Sequence, residues 1–226
     1  MSSAHHLPVN MIRWLKAQKW SKHYWSGAKT LARERVRLQR TVLPIIQHYG
    51  HDLENYHHIL DVGCGPLCAA QYIEKGTKTY VDSLLDDYRR AYPRKLPKGD
   101  RLCSRAEELP LASHSMDMVL CINALDHMQN PELVLSELHR IIRPTGLVLI
   151  SMFVYPVLIA RLYYYLEHSH LPLIDRGHPY NYSYRGIKNT LERYFHIRES
   201  RKVKLPLMCL DVMPRHYYMF VCEVKS

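Results

Sequence analysis

Two acids set the chemistry of this chain. Asp61 stands in the apolar run Ile59-Leu60-Asp61-Val62, Gly63, Cys64 and Gly65 follow at once, and Asp82 ends a second run, Thr79-Tyr80-Val81-Asp82, 21 residues after Asp61. Glycine lets a backbone take positive φ and come close to a ligand, and the first amides of a following helix stay unpaired and point at what binds there. A carboxylate at the tip of a neighbouring strand, at that distance, accepts the hydroxyls of a ribose. The pattern predicts the mouth of a nucleotide pocket, with Asp61, Gly63, Cys64, Gly65 and Asp82 around it and Ser83 beside the second acid. A glycine pair alone is more often an ordinary strand-to-helix turn, since Leu67 or Cys68 stands where a third glycine would fall, and it is the second acid at the right distance that reverses this.

Proton transfer has two candidates among the 15 histidines, His127 and His178, the latter in Arg176-Gly177-His178-Pro179-Tyr180. Imidazole titrates near neutrality and so suits a general base, although each also reads as a hydrogen-bonded structural or surface histidine. His168-Ser169-His170 offers two imidazoles without clustered third and fourth ligands, so no metal site is expected.

The elements that must position these residues alternate. A first strand ends at the glycine turn, residues 67–75 read as a crossover helix, 80–82 as a second strand and 84–92 as a short helix closed by Pro93. Leu102-Cys103-Ser104 reads as a third strand and residues 115–122 as a fourth, buried one. Asn130 caps the next helix with Pro131 in its first turn, and Leu133, Leu135, Leu138, Ile141 and Ile142 form its apolar side. Pro144-Thr145-Gly146 closes it, and 147–153 is a fifth strand. Such alternation implies a parallel sheet with helices on both faces and ligands at the carboxyl ends of the strands.

The flanks read differently. Residues 9–50 look helical, with Met11, Ile12, Trp14, Leu15, Trp20, Tyr24 and Trp25 as apolar positions. They either bury one side of the helices against the sheet or form a lid in which Tyr24 or Trp25 walls the pocket. The basic series Lys29, Arg33, Arg35, Arg37 and Arg40 reads as a wet helical face. Beyond the fifth strand come an amphipathic helix over 156–168 with Tyr163-Tyr164-Tyr165, a loop to Tyr182, a helix capped by Ser183 and running through Arg193, and strands over 196–203 and 216–224.

Composition bounds the function. A chain of 226 residues with 47% apolar content builds a substantial core, which excludes a disordered or fibrous protein. The formal charge of +10 points toward anions, yet Lys and Arg are spread and no aromatic-interleaved RNA-binding motif appears, so nucleic acid is the less favoured partner. The 6 cysteines have neither paired spacing nor the density of a disulfide framework, and read as small core residues in a reducing compartment. The opening residues carry no signal-peptide core, and the longest apolar stretch, 147–160, falls short of the roughly 20 residues that span a bilayer. A cytoplasmic protein without a transmembrane segment is expected.

The series Leu60-Asp61-Val62-Gly63-Cys64-Gly65-Pro66, Val81-Asp82, Ala106-Glu107-Glu108-Leu109-Pro110, Asp117-Met118-Val119, His127 and Pro144-Thr145-Gly146 resembles class I S-adenosylmethionine-dependent methyltransferases, over roughly residues 57–152. It is most similar to the small-molecule branch, which methylates quinones, lipids and sugars. The resemblance implies an α/β, Rossmann-like, seven-stranded, mostly parallel sheet with an antiparallel last strand and helices on both faces. It divides the chain into an N-terminal helical lid over 1–50 and a methyltransferase domain over 51–226, with a substrate-pocket insertion at about 155–182.

The cofactor implied is S-adenosyl-L-methionine. Asp61, Gly63, Cys64 and Gly65 would surround its methionine end and ribose, Asp82 and Ser83 the ribose, Ala106 and Glu107 the adenine, and Asn123 and Leu125 the sulfonium. Departures from the family pattern are Leu67 for a third glycine, Arg105 for an acid beside adenine, and Thr145 for a glycine. The function implied is O-methylation of a small-molecule or glycan- or lipid-related acceptor. The alternatives are an RNA methyltransferase, motivated by the charge, and a non-catalytic cofactor-binding or partner protein, motivated by the departures. A nicotinamide oxidoreductase would share Gly63, Gly65 and Asp82 but should show a fuller dinucleotide fingerprint.

Overall fold

The computed structural model describes residues 8–50, 56–93, 96–168, 177–205 and 214–225. Asn10 caps α1 (Met11–Trp25) by accepting the Arg13 N–H at 2.8 Å, and α2 (Ala28–Arg37) runs through a π turn, Leu38–Val42, into α3 (Leu43–Gly50). The strands are β1 (His58–Val62), β2 (Thr77–Val81), β3 (Asp100–Leu102), β4 (Met116–Ile122), β5 (Ile142–Val154), β6 (Phe195–Val203) and β7 (His216–Val224). Among the described residues they form one seven-stranded sheet, ordered β3-β2-β1-β4-β5-β7-β6. β1 to β5 pair in parallel, and β7 runs antiparallel to both β5 and β6. The strand order reverses between β1 and β4, where sheets of this kind open a crevice at their carboxyl ends.

Period-two alternation explains why the central strands read as unbroken apolar runs. Leu60, Val62, Val119, Cys121, Val148 and Ile150 pack toward α5 (Pro131–Ile141) and α7 (Tyr184–Leu191). Ile59, Met118, Leu120, Leu147 and Leu149 pack on the other face, where the core includes Leu38, Val42 and Ile46 and, from α4 (Leu85–Ala91), Leu85. Both faces are covered, as a parallel sheet requires. Asp117 fastens the start of β1 to the neighbouring strands: Oδ2 accepts the His57 and His58 N–H groups at 2.9 and 2.8 Å, and Oδ1 takes Arg143. α6 (Val157–His168) follows β5, and among the described residues no helix is long and apolar enough to cross a membrane.

Several expected boundaries move. The crossover helix over 67–75 is a single 3-10 turn, Ala69–Tyr72, because Cys68 sits at φ 44° in the left-handed region and the Ala70 N–H is drawn to Asp61 Oδ2 at 2.9 Å. The third strand lies two residues earlier, at Asp100–Leu102, where it pairs with Thr79–Val81 of β2. On α5 the buried position is Val134, while Leu133 is 51% exposed. Pro144-Thr145-Gly146 lies inside β5, at a register break opposite Met116 and Met118, and α7 ends at Leu191. Met11, Ile12 and Leu15 of α1 are exposed, whereas Trp14 and Ala17 are buried. Ser169 and His170 lie outside the described residues, as does Cys209.

Candidate active site

The carboxyl ends of β1, β2 and β4 surround a cavity of about 360 Å³. Gly63 and Gly65 turn the chain at φ 62° and 54°. At Gly63 there is no room for a side chain: a Cβ would stand 2.5 Å from Ala124 Cβ. Gly63 N–H donates to Val81 O at 2.8 Å, and Gly65 N–H donates to Asp82 Oδ2 at 2.9 Å, so the glycine loop and the second acid form one wall. Asp82 Oδ1 accepts the Leu84 N–H at 2.8 Å. Each carboxylate oxygen has a second acceptor site left for a ligand hydroxyl.

Burial governs both acids. It pushes the Asp61 carboxyl up to about 7, against the Ala70 hydrogen bond and with added repulsion from Asp82. Asp82 is also raised by burial, and its bonds from Leu84 and Gly65 pull the other way.

After β4, Asn123 adopts φ 54°, and its Oδ1 is buried with no hydrogen-bond partner among the described residues. His127 follows on a one-turn 3-10 helix, Leu125–His127, where a backbone carbonyl, Gly177 O, lies 2.8 Å from its Nδ1. A carbonyl only accepts, so Nδ1 carries a proton, and in the neutral ring Nε2 is the acceptor nitrogen. The His178 ring lies 4.4 Å from that of His127, and its Nε2 is 3.8 Å from Oδ2 of buried Asp126. Asp126, His127 and His178 bring ligand-type atoms within 4.8 Å of one another.

α1 crosses this mouth. The Ser83 hydroxyl donates to Gln18 Oε1 at 2.9 Å, and Gln18 Nε2 donates to His127 O at 3.5 Å, so one side chain spans the tips of β2 and β4. Trp25 packs over the glycine turn, 3.7 Å from where a Gly65 Cβ would be, and Trp20 lies against Gly177. Trp14 lies 5.1 Å under the Arg105 guanidinium, which also donates to the Gln129 side chain and sits 3.5 Å from Glu107.

Residues 60–150 match the family described as a methyltransferase domain. Over that stretch the chain is similar to methyltransferase domains. It is 34% identical over 142 residues to a malonyl-[acyl-carrier protein] O-methyltransferase of Laribacter hongkongensis, covering 56% of this chain and 46% of that protein. It is 31% identical over 121 residues to a ubiquinone biosynthesis O-methyltransferase of Rickettsia canadensis, covering 51% and 50%. The chain thus spans about half the length of these curated relatives. The crystal structure of Burkholderia thailandensis 1,6-didemethyltoxoflavin-N1-methyltransferase, with bound 1,6-didemethyltoxoflavin and S-adenosylhomocysteine, shares the fold at TM-score 0.66 and 17% identity, over 97% of this chain and 94% of that one. The [4+2]-cyclase SpnF shares it at TM-score 0.56 and 15% identity, over 76% and 75%.

Of the residues singled out in the sequence, Asp61, Gly63, Cys64, Gly65, Asp82, Ser83, Ala106, Glu107, Asn123, His127 and His178 line one cavity. Leu125 does not: it is fully buried in the core beside α5, because the 3-10 turn after β4 points it into the sheet layer. Glu107 lines the cavity, but its Oε1 accepts the Gln129 and Asn130 N–H groups at 2.8 and 3.1 Å, holding the start of α5. The wet-face reading of the basic series fails at Arg37, which is 7% exposed and lines the cavity with Arg33, Glu34, Phe153 and Arg215. Sequence reasoning also missed Gln18 and Ser21, although Trp14, Gln18, Ser21 and Trp25 fall at the four-three-four spacing that makes one helix face.

Proposed function

We propose that this protein transfers a methyl group from S-adenosyl-L-methionine to an oxygen of a small-molecule acceptor. The observation that carries the reading is the contact of Gly65 with Asp82 at the edge of a cavity that continues past Asn123 to His127 and His178. The residues fit the cofactor: the glycine turn is a cradle that a Cβ would fill, Asp82 keeps acceptor capacity for a ribose diol, and Asn123 Oδ1 is a buried acceptor with no partner among the described residues. The cofactor supplies a methyl group already activated on a sulfonium. The chain's own work is then to align donor and acceptor and to exclude water.

Asp82 and Ser83 hold the sugar end, and Asp61 with the Gly63–Gly65 turn holds the methionine end. His127 Nε2 is the base that takes the acceptor's proton. Asp126 and His178 position that imidazole pair and spread the charge it gains. α1 is the lid, with Trp14, Gln18, Trp20 and Trp25 shutting water out. This roof favours a small acceptor over an RNA base. The O-methyltransferase relatives support oxygen as the methylated atom. The five described cysteines are free, which supports a cytoplasmic location.

The test is calorimetric titration with S-adenosylhomocysteine, followed by a labelled-methyl screen of metabolite pools and of tRNA. Micromolar binding with label in a small molecule is expected. Binding without label anywhere marks a non-transferring relative, label in tRNA moves the protein to RNA modification, and failure to bind removes the cofactor from the reading.

A further inference from the structure

At the β5 side of the cavity the lining changes character. Along the sheet this lies opposite Asp82, since β2 and β5 flank the β1–β4 pair. Arg37, the last residue of α2, is 7% exposed and lines the cavity. Its Nε donates to Glu34 Oε2 at 2.6 Å, while its Nη1 is buried with no hydrogen-bond partner among the described residues. The guanidinium lies over two aromatic rings, 5.1 Å from the centre of Tyr217, with whose hydroxyl it also hydrogen-bonds, and 5.9 Å from that of Phe153. Arg215 stacks on the same Phe153 ring at 4.0 Å.

One acid serves this group, and it is already shared. Glu34 Oε1 accepts the Tyr24 hydroxyl at 2.8 Å and Arg33 Nε at 3.4 Å, and Oε2 takes Arg37. Burial pushes Glu34 up, and Arg37 with the hydrogen bonds from Tyr24 and Arg37 more than reverses this, so the carboxylate stays ionised with both oxygens engaged. A buried donor left unmade beside a cavity, on a guanidinium held by Glu34 and Tyr217, is a preorganised half of a charge-assisted hydrogen bond.

We propose that this arginine and aromatic wall, centred on Arg37 with Arg215 and Phe153, is the acceptor-recognition side of the cavity and takes a small acceptor carrying an oxyanion, a carboxylate or a phosphate monoester, beside a flat apolar portion. The proposal rests on the methyltransferase reading for calling the bound molecule an acceptor, and its test does not require turnover. Phe153, which lines the cavity, receives the flat portion, and Arg37 Nη1 donates to the oxyanion. Neutral acceptors of the same shape leave that donor unpaired and are disfavoured.

The experiment titrates wild-type protein, with and without S-adenosylhomocysteine, with benzoate, phenyl phosphate and neutral benzamide. At least about tenfold tighter binding of one anion over benzamide is expected, equivalent to about 1.4 kcal/mol. Which of the two anions it is decides between carboxylate and phosphate. Arg37→Met should abolish the preference while S-adenosylhomocysteine affinity stays within about twofold. Because Arg37→Met strands Glu34, the double variant Glu34→Gln/Arg37→Met and the single variant Arg215→Met are measured alongside, each with the same expected loss. Equal binding of benzamide and the anions, no binding of either anion, or a preference that survives in the folded Arg37 variants overturns the proposal. Loss of S-adenosylhomocysteine binding by the wild type strikes the methyltransferase reading instead, and the anion comparison made without it still decides this one.

Discussion

Gly65 donates its backbone N–H to Asp82 Oδ2 at 2.9 Å, which welds the loop after β1 to the tip of β2. Asp82 therefore shapes the pocket as well as facing it. Asp82→Asn keeps the side-chain size and one acceptor oxygen while removing the charge. The expected outcome is a tenfold to hundredfold rise in the S-adenosylhomocysteine dissociation constant, about 1.4 to 3 kcal/mol. Calorimetry checks it, and an unchanged affinity would take Asp82 out of the site.

Asp61 makes the pocket pH-sensitive. Its folded carboxyl is pushed from 3.8 up to about 7, by burial first and by Asp82 second, against the Ala70 hydrogen bond. Between those values the folded chain holds a proton that the unfolded chain has lost, so this group's contribution to stability falls as pH rises through that window. Asp61→Asn cannot ionise, and its thermal unfolding temperature should vary less from about pH 4 to about pH 7 than that of the wild type. A cationic ammonium beside Asp61 favours the carboxylate, so S-adenosylhomocysteine binding just below neutrality should release a proton. Titration in two buffers of different ionisation enthalpy measures that release, and its absence would separate Asp61 from the ligand's amino group.

Polar contacts tie α1 to the strand tips and to α4. Gln18 alone joins the Ser83 hydroxyl to His127 O, and Lys22 pairs with Asp87 on α4 at 2.7 Å, at an exposed position where ion pairs contribute little. Gln18→Ala should raise the dissociation rate of S-adenosylhomocysteine about threefold to tenfold and speed amide exchange along α1, with the sheet's exchange unaltered. Stopped-flow displacement and hydrogen exchange read the two effects. If neither moves, α1 is held by its packing and by the remaining hydrogen bonds, Arg13 to His178 O and the Tyr92 hydroxyl to Trp25 O among them.

What was legible in the sequence followed from local rules. An apolar run ending in an acid and glycines located β1, its turn and Asp82, because strand burial and turn chemistry are properties of neighbouring residues. β3 was misplaced by two residues because a three-residue edge strand takes its register from β2 rather than from its own pattern. The helix expected at 67–75 gave way because Asp61 captures the Ala70 amide, a contact fixed by the tight turn and not by propensity. Arg37 looked like solvated surface. Its stacking partners Phe153 and Tyr217 come from β5 and β7, so no window of sequence around α2 contains the reason for its burial.

The base assignment turns on His127 and its neighbours. In the labelled-methyl assay His127→Ala should lower turnover by about 10²- to 10⁴-fold with S-adenosylhomocysteine affinity nearly unchanged, and added imidazole should restore part of the loss. Asp126 acts through His178, 3.8 Å away, so Asp126→Asn should lower kcat about tenfold or more while the acceptor KM holds, and Asp126→Glu should recover most of it. A purely structural role for Asp126 predicts the reverse: a lower unfolding temperature with kcat preserved in the protein that remains folded. Full turnover in His127→Ala would instead mean that the acceptor loses its proton to water, leaving alignment and desolvation as the chain's whole contribution to rate.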